Sequence, residues 1–371
     1  MTNHNINIGP AQNMHQIKDE SIELVVTSPP YPMIEMWDDI MAKQNKDIYK
    51  KFEEGDSYAV YELMHLELDK VWEEVYRVLK PGGIACVNIG DATRTLNKNF
   101  ALYSSHSRII QKFIQLGMDN LPNIIWRKQT NAPNKFMGSG MLPGGAYVTL
   151  EHEWVLIFRK GGKRDFTKAD DKALRQQSAY FWEERNIWFS DLWDLKGTTQ
   201  RINKSVGRER SAAYPFELPY RLINMYSVYG DTVLDPFLGT GTTMLAAIGT
   251  GRNSIGYEID ESFKELVFDN IFSKDVNTLN SVVVNRVANH KAFVDSRKND
   301  PKKSEFKYFN ENIGLEVMTK QELNIDFKYV ESINLEKDII NVTYTSLKNK
   351  PVSILLNKDI VLKNDLQTSL F

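Results

Sequence analysis

Asp235-Pro236-Phe237-Leu238-Gly239-Thr240-Gly241-Thr242-Thr243 follows the apolar run Thr232-Val233-Leu234 and precedes a second strand-like run, Ser254-Ile255-Gly256-Tyr257-Glu258. A strand end, a glycine-rich turn, a helix start and a further strand make one unit of an alternating α/β chain. Gly239 and Gly241 admit positive φ and leave no Cβ to block a ligand. The helix beginning near Thr242 offers free N–H groups at its start. No Gly-Lys-Ser/Thr follows, so the turn is not a Walker loop, and Met244 stands where a dinucleotide fingerprint needs its third glycine. Glu258 ends the second strand about twenty residues beyond Gly239, a spacing that suits a carboxylate gripping two ribose hydroxyls. A tight turn with a solvated glutamate is the plainer alternative.

Outward from this unit the same alternation continues. Short apolar strands are expected at Glu23–Val26, Ile84–Ile89, Asn123–Trp126 and Trp154–Phe158, and helices at Tyr58–Leu79, Ser107–Leu116 and Pro215–Val228. The expected fold is a doubly wound, mostly parallel sheet. Two regions depart from the pattern. Residues 161–212 are rich in cations, with Tyr180, Phe181, Trp182, Trp188 and Trp193 interleaved, and most of these tryptophans are expected in local core. From 285 to 371 the composition shifts to Asn, Lys and short alternating runs, which predicts a small β-rich appendage to a 1–284 main domain.

Composition restricts the chemistry. The chain has 371 residues, 42% hydrophobic and 25% charged, as a soluble globular protein does. A basic signal start and any apolar run long enough to span a bilayer are both missing, so a cytoplasmic location without membrane contact is expected. A single cysteine, Cys86, leaves no internal disulfide, and six scattered histidines give no metal-binding spacing. A net charge of −2 means that any nucleic-acid surface must be local.

A second segment carries chemistry. Thr27-Ser28-Pro29-Pro30-Tyr31 follows the apolar strand Ile22–Val26. An exocyclic amine is a poor nucleophile because its lone pair is delocalised into the ring. Ser28 Oγ and the Pro29 carbonyl can accept its two N–H bonds from one turn that the Pro29-Pro30 pair keeps rigid. Tyr31 offers a ring to stack on a base taken out of its helix.

With both segments in view, the chain resembles the amino-group DNA methyltransferases that use S-adenosylmethionine, from about Asn5 to Asp275. Thr27–Tyr31 is similar to the catalytic motif, Asp235–Thr243 to the cofactor loop and Gly256–Asp260 to the acidic motif after it. Ala213–Leu218 resembles the segment that packs on the methionine end of the cofactor, while Lys80–Gly83 and Glu151–Trp154 resemble connecting motifs. The resemblance implies a cofactor site at Asp235, Phe237, Gly239, Thr240, Gly241, Thr242 and Glu258, with Pro215 and Phe216 at its methionine end, and a catalytic site at Ser28, Pro29, Pro30 and Tyr31. The catalytic motif precedes the cofactor motif, which is the β-class order. That order assigns target reading on double-stranded DNA to residues 161–212, where Arg201, Lys204, Arg208 and Arg210 are candidate DNA contacts.

Ser in place of Asp at position 28 favours cytosine N4 over adenine N6 as the acceptor. A fold retained for DNA binding without catalysis is the reading from another class. The resemblance further implies the modification half of a restriction–modification system, with a cognate endonuclease as partner. Gln367–Phe371 is similar to peptides that dock on the sliding clamp. The chain departs from the family at Ile8-Gly9-Pro10-Ala11, where a Gly-Asp pair is usual; backbone groups or Asp19 are candidates to replace that adenine contact. Asn88 is read either as a pocket residue or as part of a plain turn in which Asp91 caps a helix. Met33–Met41 is read either as a cover for the base, with Trp37 or Glu35 at the rim, or as a packing segment.

Overall fold

In the computed structural model, residues 1–128, 137–197, 214–273 and 276–349 are described. Ten strands form one sheet: β1 (Thr2–Ile8), β2 (Ile22–Thr27), β3 (Leu79–Ile89), β4 (Met118–Lys128), β5 (His152–Lys160), β6 (Leu192–Leu195), β7 (Thr232–Asp235), β8 (Asn253–Glu258), β9 (Lys328–Glu336) and β10 (Ile339–Ser346). Their spatial order is β6-β4-β5-β3-β2-β7-β8-β1-β10-β9. The five central strands, β3 to β1, run parallel. Antiparallel β5 lies between β3 and β4. The doubly wound sheet inferred from alternating elements is therefore the fold.

The central strands are apolar on both sides because helices cover both faces. Leu24 and Val26 of β2 join one core with α3 (Glu217–Tyr226), α4 (Thr242–Gly249) and part of α6 (Val276–Lys298). Val25, one residue out of phase, faces the opposite core with α1 (Ser57–Val78) and α2 (Ser105–Gln115). Asp56 caps α1 by accepting from the Ala59 N–H at 3.1 Å, and its stripe Val60, Met64, Leu68, Val71, Val75 is buried at helical spacing.

This winding places the site. From β2 the chain leaves over α1 towards β3, whereas from β7 it leaves over α4, on the other face, towards β8. The adjacent strands β2 and β7 therefore form the topological switch point, where the loops diverge and open a crevice beyond the carboxyl ends of the strands. Ser28–Tyr31 leaves β2 there, and Pro236–Thr240 leaves β7.

The chain ends are more integrated than composition suggests. The boundary expected at 284/285 falls inside α6. Strand β10 pairs antiparallel with β1, Thr2 opposite Val342, so the C-terminal strands lengthen the main sheet. Arg286 of α6 forms bonds of 2.5 and 2.6 Å to Glu184, and His290 stacks on Phe181 with ring centres 3.7 Å apart. Within 161–197, β6 extends the sheet edge beside β4, and Trp188 and Trp193 are buried while Trp182 is exposed. Composition missed this because the strand partners are far apart in sequence.

Candidate active site

The crevice at the switch point is a cleft of about 1050 Å³, counting its open mouth, the scale of a small-molecule site. Gly9 to Gln12, Ser28 to Tyr31, Trp37, Ile40, Gln44, Tyr214, Asp235 to Thr240, Thr242, Tyr257 to Asp260 and Phe263 line it. Thr27 Oγ1 donates to Asp235 Oδ1 at 2.6 Å and so laces the two diverging loops together. Asp235 also accepts from Thr243 Oγ1 at 2.6 Å and from the Phe237 N–H at 3.1 Å. Tyr214 in turn bonds to Thr243. Burial pushes the Asp235 carboxyl above its ordinary value, and the bonds from Thr243 and Thr27 oppose that shift. Asp235 sits at the cleft, but its carboxylate is occupied in holding the loop.

At one end of the cleft the glycines divide their tasks. Gly239 has φ +51°, and a Cβ there would meet nothing nearer than the Phe237 carbonyl oxygen at 3.9 Å. Gly241 has φ +84°, but its missing Cβ would lie 2.7 Å from Val267 Cγ1, so it makes room for α5 (Ser262–Phe272) rather than for a ligand. Glu258 accepts from the Gly239 N–H at 2.9 Å and the Asp260 N–H at 3.0 Å, and burial raises its pKa. Gly9 to Gln12 line the cleft as backbone candidates. Asp19 lies elsewhere, 2.5 Å from Arg77.

At the other end, Tyr31 is held from several sides. Its hydroxyl donates to Glu153 Oε2 at 2.8 Å, accepts from Asn88 Nδ2 at 2.8 Å, and lies 3.2 Å from Ser28 Oγ. Asn88 Nδ2 also reaches Glu153 Oε2 at 2.8 Å, and Lys128 pairs with the other Glu153 oxygen. Desolvation, then the Glu153 charge, push the Tyr31 hydroxyl well above its ordinary pKa, so it stays protonated. Gly90 lets the ring lie against the backbone: a Cβ there would stand 2.9 Å from Tyr31 Cε2. Met33 follows at φ +70°, an uncommon backbone state for a side-chain-bearing residue, as tight functional turns often require.

Comparison with known proteins decides the family. A family model described as DNA methylase matches residues 22–269. The chain belongs to the DNA methylase family. It is 53% identical over 330 residues to the type II methyltransferase M.MthZI of Methanothermobacter thermautotrophicus, covering 88% of this chain and 91% of that one. It is also 53% identical over 281 residues to M.MjaI of Methanocaldococcus jannaschii, covering 73% and 91%. Among solved structures it is similar to TTHA0409 of Thermus thermophilus, a putative DNA modification methylase complexed with S-adenosyl-L-methionine. That match has 30% identity and a TM-score of 0.55 over 72% of this chain and 94% of the other.

The methylase differs from the motif-based expectations in instructive places. Pro215 and Phe216 are buried, Phe216 in the core stacked on Tyr220, and the residue from that segment on the cleft is Tyr214. Asn88 donates to the Tyr31 hydroxyl from behind the cleft wall, and Asp91 accepts from the His106 N–H at 3.1 Å in the first turn of α2. Trp37 lines the cleft rim and Glu35 is exposed. Cys86 is buried, with its thiol pKa raised by burial. In the sequence Glu153 is only part of a connecting motif; its place at the start of β5, on the edge where the parallel strands end, is what brings it to Tyr31. Arg201, Lys204, Arg208, Arg210 and Gln367–Phe371 lie outside the described residues. Among the described residues no helix is long and apolar enough to cross a membrane.

Proposed function

We propose that this methylase transfers a methyl group from S-adenosylmethionine to the exocyclic N4 amine of a cytosine swung out of duplex DNA, as the modification half of a restriction–modification system. The residues fit that methyl donor: the open space at Gly239 would be filled by a Cβ, and Glu258 presents a desolvated carboxylate beside it. Gly239, Thr240 and Glu258 would hold the nucleoside, with Asp235, Phe237, Thr242 and Tyr214 shaping the wall and Gly241 the turn. S-Adenosylmethionine, when bound, supplies a sulfonium methyl that carries its own leaving group.

The observation that carries the reading is that Ser28, Pro29 and Tyr31 open on the same cleft as Gly239 and Glu258. Ser28 Oγ and the Pro29 carbonyl accept the two amine N–H bonds and push the nitrogen towards tetrahedral geometry, while the Tyr31 ring stacks on the base. A hydroxyl rather than a carboxylate at position 28 supports cytosine over adenine. Its relatives M.MthZI and M.MjaI are type II methyltransferases, which supports the modification role and a cognate endonuclease. Arg201, Lys204, Arg208 and Arg210 supply phosphate contacts, with the steep salt dependence that such contacts bring. Transfer of labelled methyl to DNA, followed by mass spectrometry of the nucleosides, tests the reading. N4-methylcytosine is the expected product, and N6-methyladenine would move the assignment to the other amine. No transfer at all would leave a DNA-binding fold without catalysis.

A further inference from the structure

Ser28 is neutral, yet two hydrogen bonds behind it stands an ion-paired carboxylate. We propose that Glu153 acts through Tyr31 on Ser28, orienting the serine as an acceptor towards the amine and receiving the proton that the methylated amine sheds. The inference rests on the amine-methylation reading above and adds a positioning residue to it.

The hydroxyl protons fix the sense of each bond. Tyr31 stays protonated and has one hydroxyl proton, which it donates to Glu153 Oε2 at 2.8 Å. In the 3.2 Å contact between Ser28 and Tyr31, the donor must therefore be Ser28. Asn88 Nδ2 enforces the same sense: it donates to Tyr31 Oη and Glu153 Oε2 at 2.8 Å each, and touches Ser28 Oγ only at 3.4 Å. With its proton turned towards Tyr31, Ser28 Oγ presents lone pairs to the cleft. Lys128 pairs with the far oxygen of Glu153. The negative charge that an aspartate would carry at position 28 is thus held two hydrogen bonds away, out of the cleft wall.

The same chain balances the reaction. The new C–N bond forms as the donor's C–S bond breaks, its electron pair staying on sulfur, which leaves the amine nitrogen cationic. One N–H proton passes to Ser28 Oγ, the serine's own proton to Tyr31 Oη, and the tyrosine's proton to Glu153 Oε2. Ser28 and Tyr31 end neutral and Glu153 ends as the acid, which loses its proton to solvent before the next turnover.

Single-turnover methyl transfer by Glu153→Gln, Ser28→Asp and the double variant tests this, with affinities for duplex DNA and S-adenosylmethionine measured alongside. Glu153→Gln should slow transfer about 100-fold with both affinities kept. Ser28→Asp sets a second carboxylate two hydrogen bonds from Glu153 and should also be slow. Removing the rear charge should relieve that clash, so the double variant should recover about tenfold over Ser28→Asp alone. A merely structural role for Glu153 gives no such recovery. Tyr31→Phe keeps the ring and cuts only the relay, so it should match the Glu153→Gln loss even if that variant folds poorly. A Glu153→Gln or Tyr31→Phe rate close to wild type, or a double variant no faster than Ser28→Asp, overturns the proposal. Wild-type protein that transfers no methyl would overturn the proposed function instead.

Discussion

Gly90 offers the sharpest single test of how the Ser28–Tyr31 turn is held. A Cβ at this position would lie 2.9 Å from Tyr31 Cε2, 3.2 Å from Tyr31 Cδ2 and 3.3 Å from Glu153 Cγ. Ordinary carbon contacts are about 3.6 Å, so Gly90→Ala asks the ring to move by about 0.7 Å. Gly90 is not among the positive-φ residues, so backbone strain does not confuse the result. Tyr31 is tied to Glu153 and Asn88 at 2.8 Å, and moving it disturbs Ser28 with it. A misplacement of this order should lower the transfer rate about 10- to 100-fold. Overpacking should cost about 1–3 kcal/mol of stability, leaving a folded protein. The Gly239–Glu258 end does not contact Gly90, so affinity for S-adenosylmethionine should be unchanged. Rapid-quench methyl transfer, calorimetric cofactor binding and thermal melts read the three effects separately. Wild-type transfer in a variant that also melts at the wild-type temperature would refute the argument that Gly90 seats Tyr31.

Other consequences can be checked in the same preparations. Gly241→Ala, at φ +84° and 2.7 Å from Val267 Cγ1, should be destabilised by more than about 1 kcal/mol in urea unfolding, whereas Gly239→Ala, at φ +51° but with open space for its Cβ, should be destabilised less and should also lose cofactor affinity. Because burial raises the Asp235 pKa, the folded chain holds that proton more tightly than the unfolded one, and the stabilisation is present at low pH and lost as pH rises through the folded value. Asp235→Asn should therefore gain stability relative to wild type over that rise, and not below the ordinary carboxylate range, in melts across pH. Glu184→Ala leaves Arg286 buried without its ion partner and should cost about 3–5 kcal/mol by denaturant melts. Reversing Arg208 and Arg210 to Glu should weaken DNA binding and flatten its salt dependence; unchanged affinity would remove them from the interface.

Local features of the fold were legible because their causes are local. The apolar run of β2, the helical stripe of α1 and the glycine turn after β7 each state their own conformation within a few residues. Pairing across the sheet is different. That Ile340 and Val342 alternate with polar neighbours says only that a strand exists. Its placement beside β1, with Thr2 bonded to Tyr344 across 342 positions, depends on which edge remains uncovered once the rest has folded. Composition therefore suggested an appendage where the structure has a continuation of the sheet.

The site divides along the same line. Ser28, Tyr31, Gly239 and Glu258 sit in short segments whose residue types already imply their geometry, and all four reach the cleft. The resemblance assigns Phe216 to the cleft, but just before α3 a one- or two-residue difference decides which side chain faces inward, and Tyr214 takes that place. Glu153 could not be found by spacing at all, since it meets Tyr31 across 122 positions and on an antiparallel strand. One physical clue was nonetheless present. Under the proposed amine methylation, a charge behind Ser28 would add to its polarising effect, and a carboxylate beginning a strand at the cleft edge, paired with Lys128, is a group to look for. The proposed chemistry asks for a partner behind Ser28, and the fold brings Glu153 within two hydrogen bonds of it from the far side of the sequence.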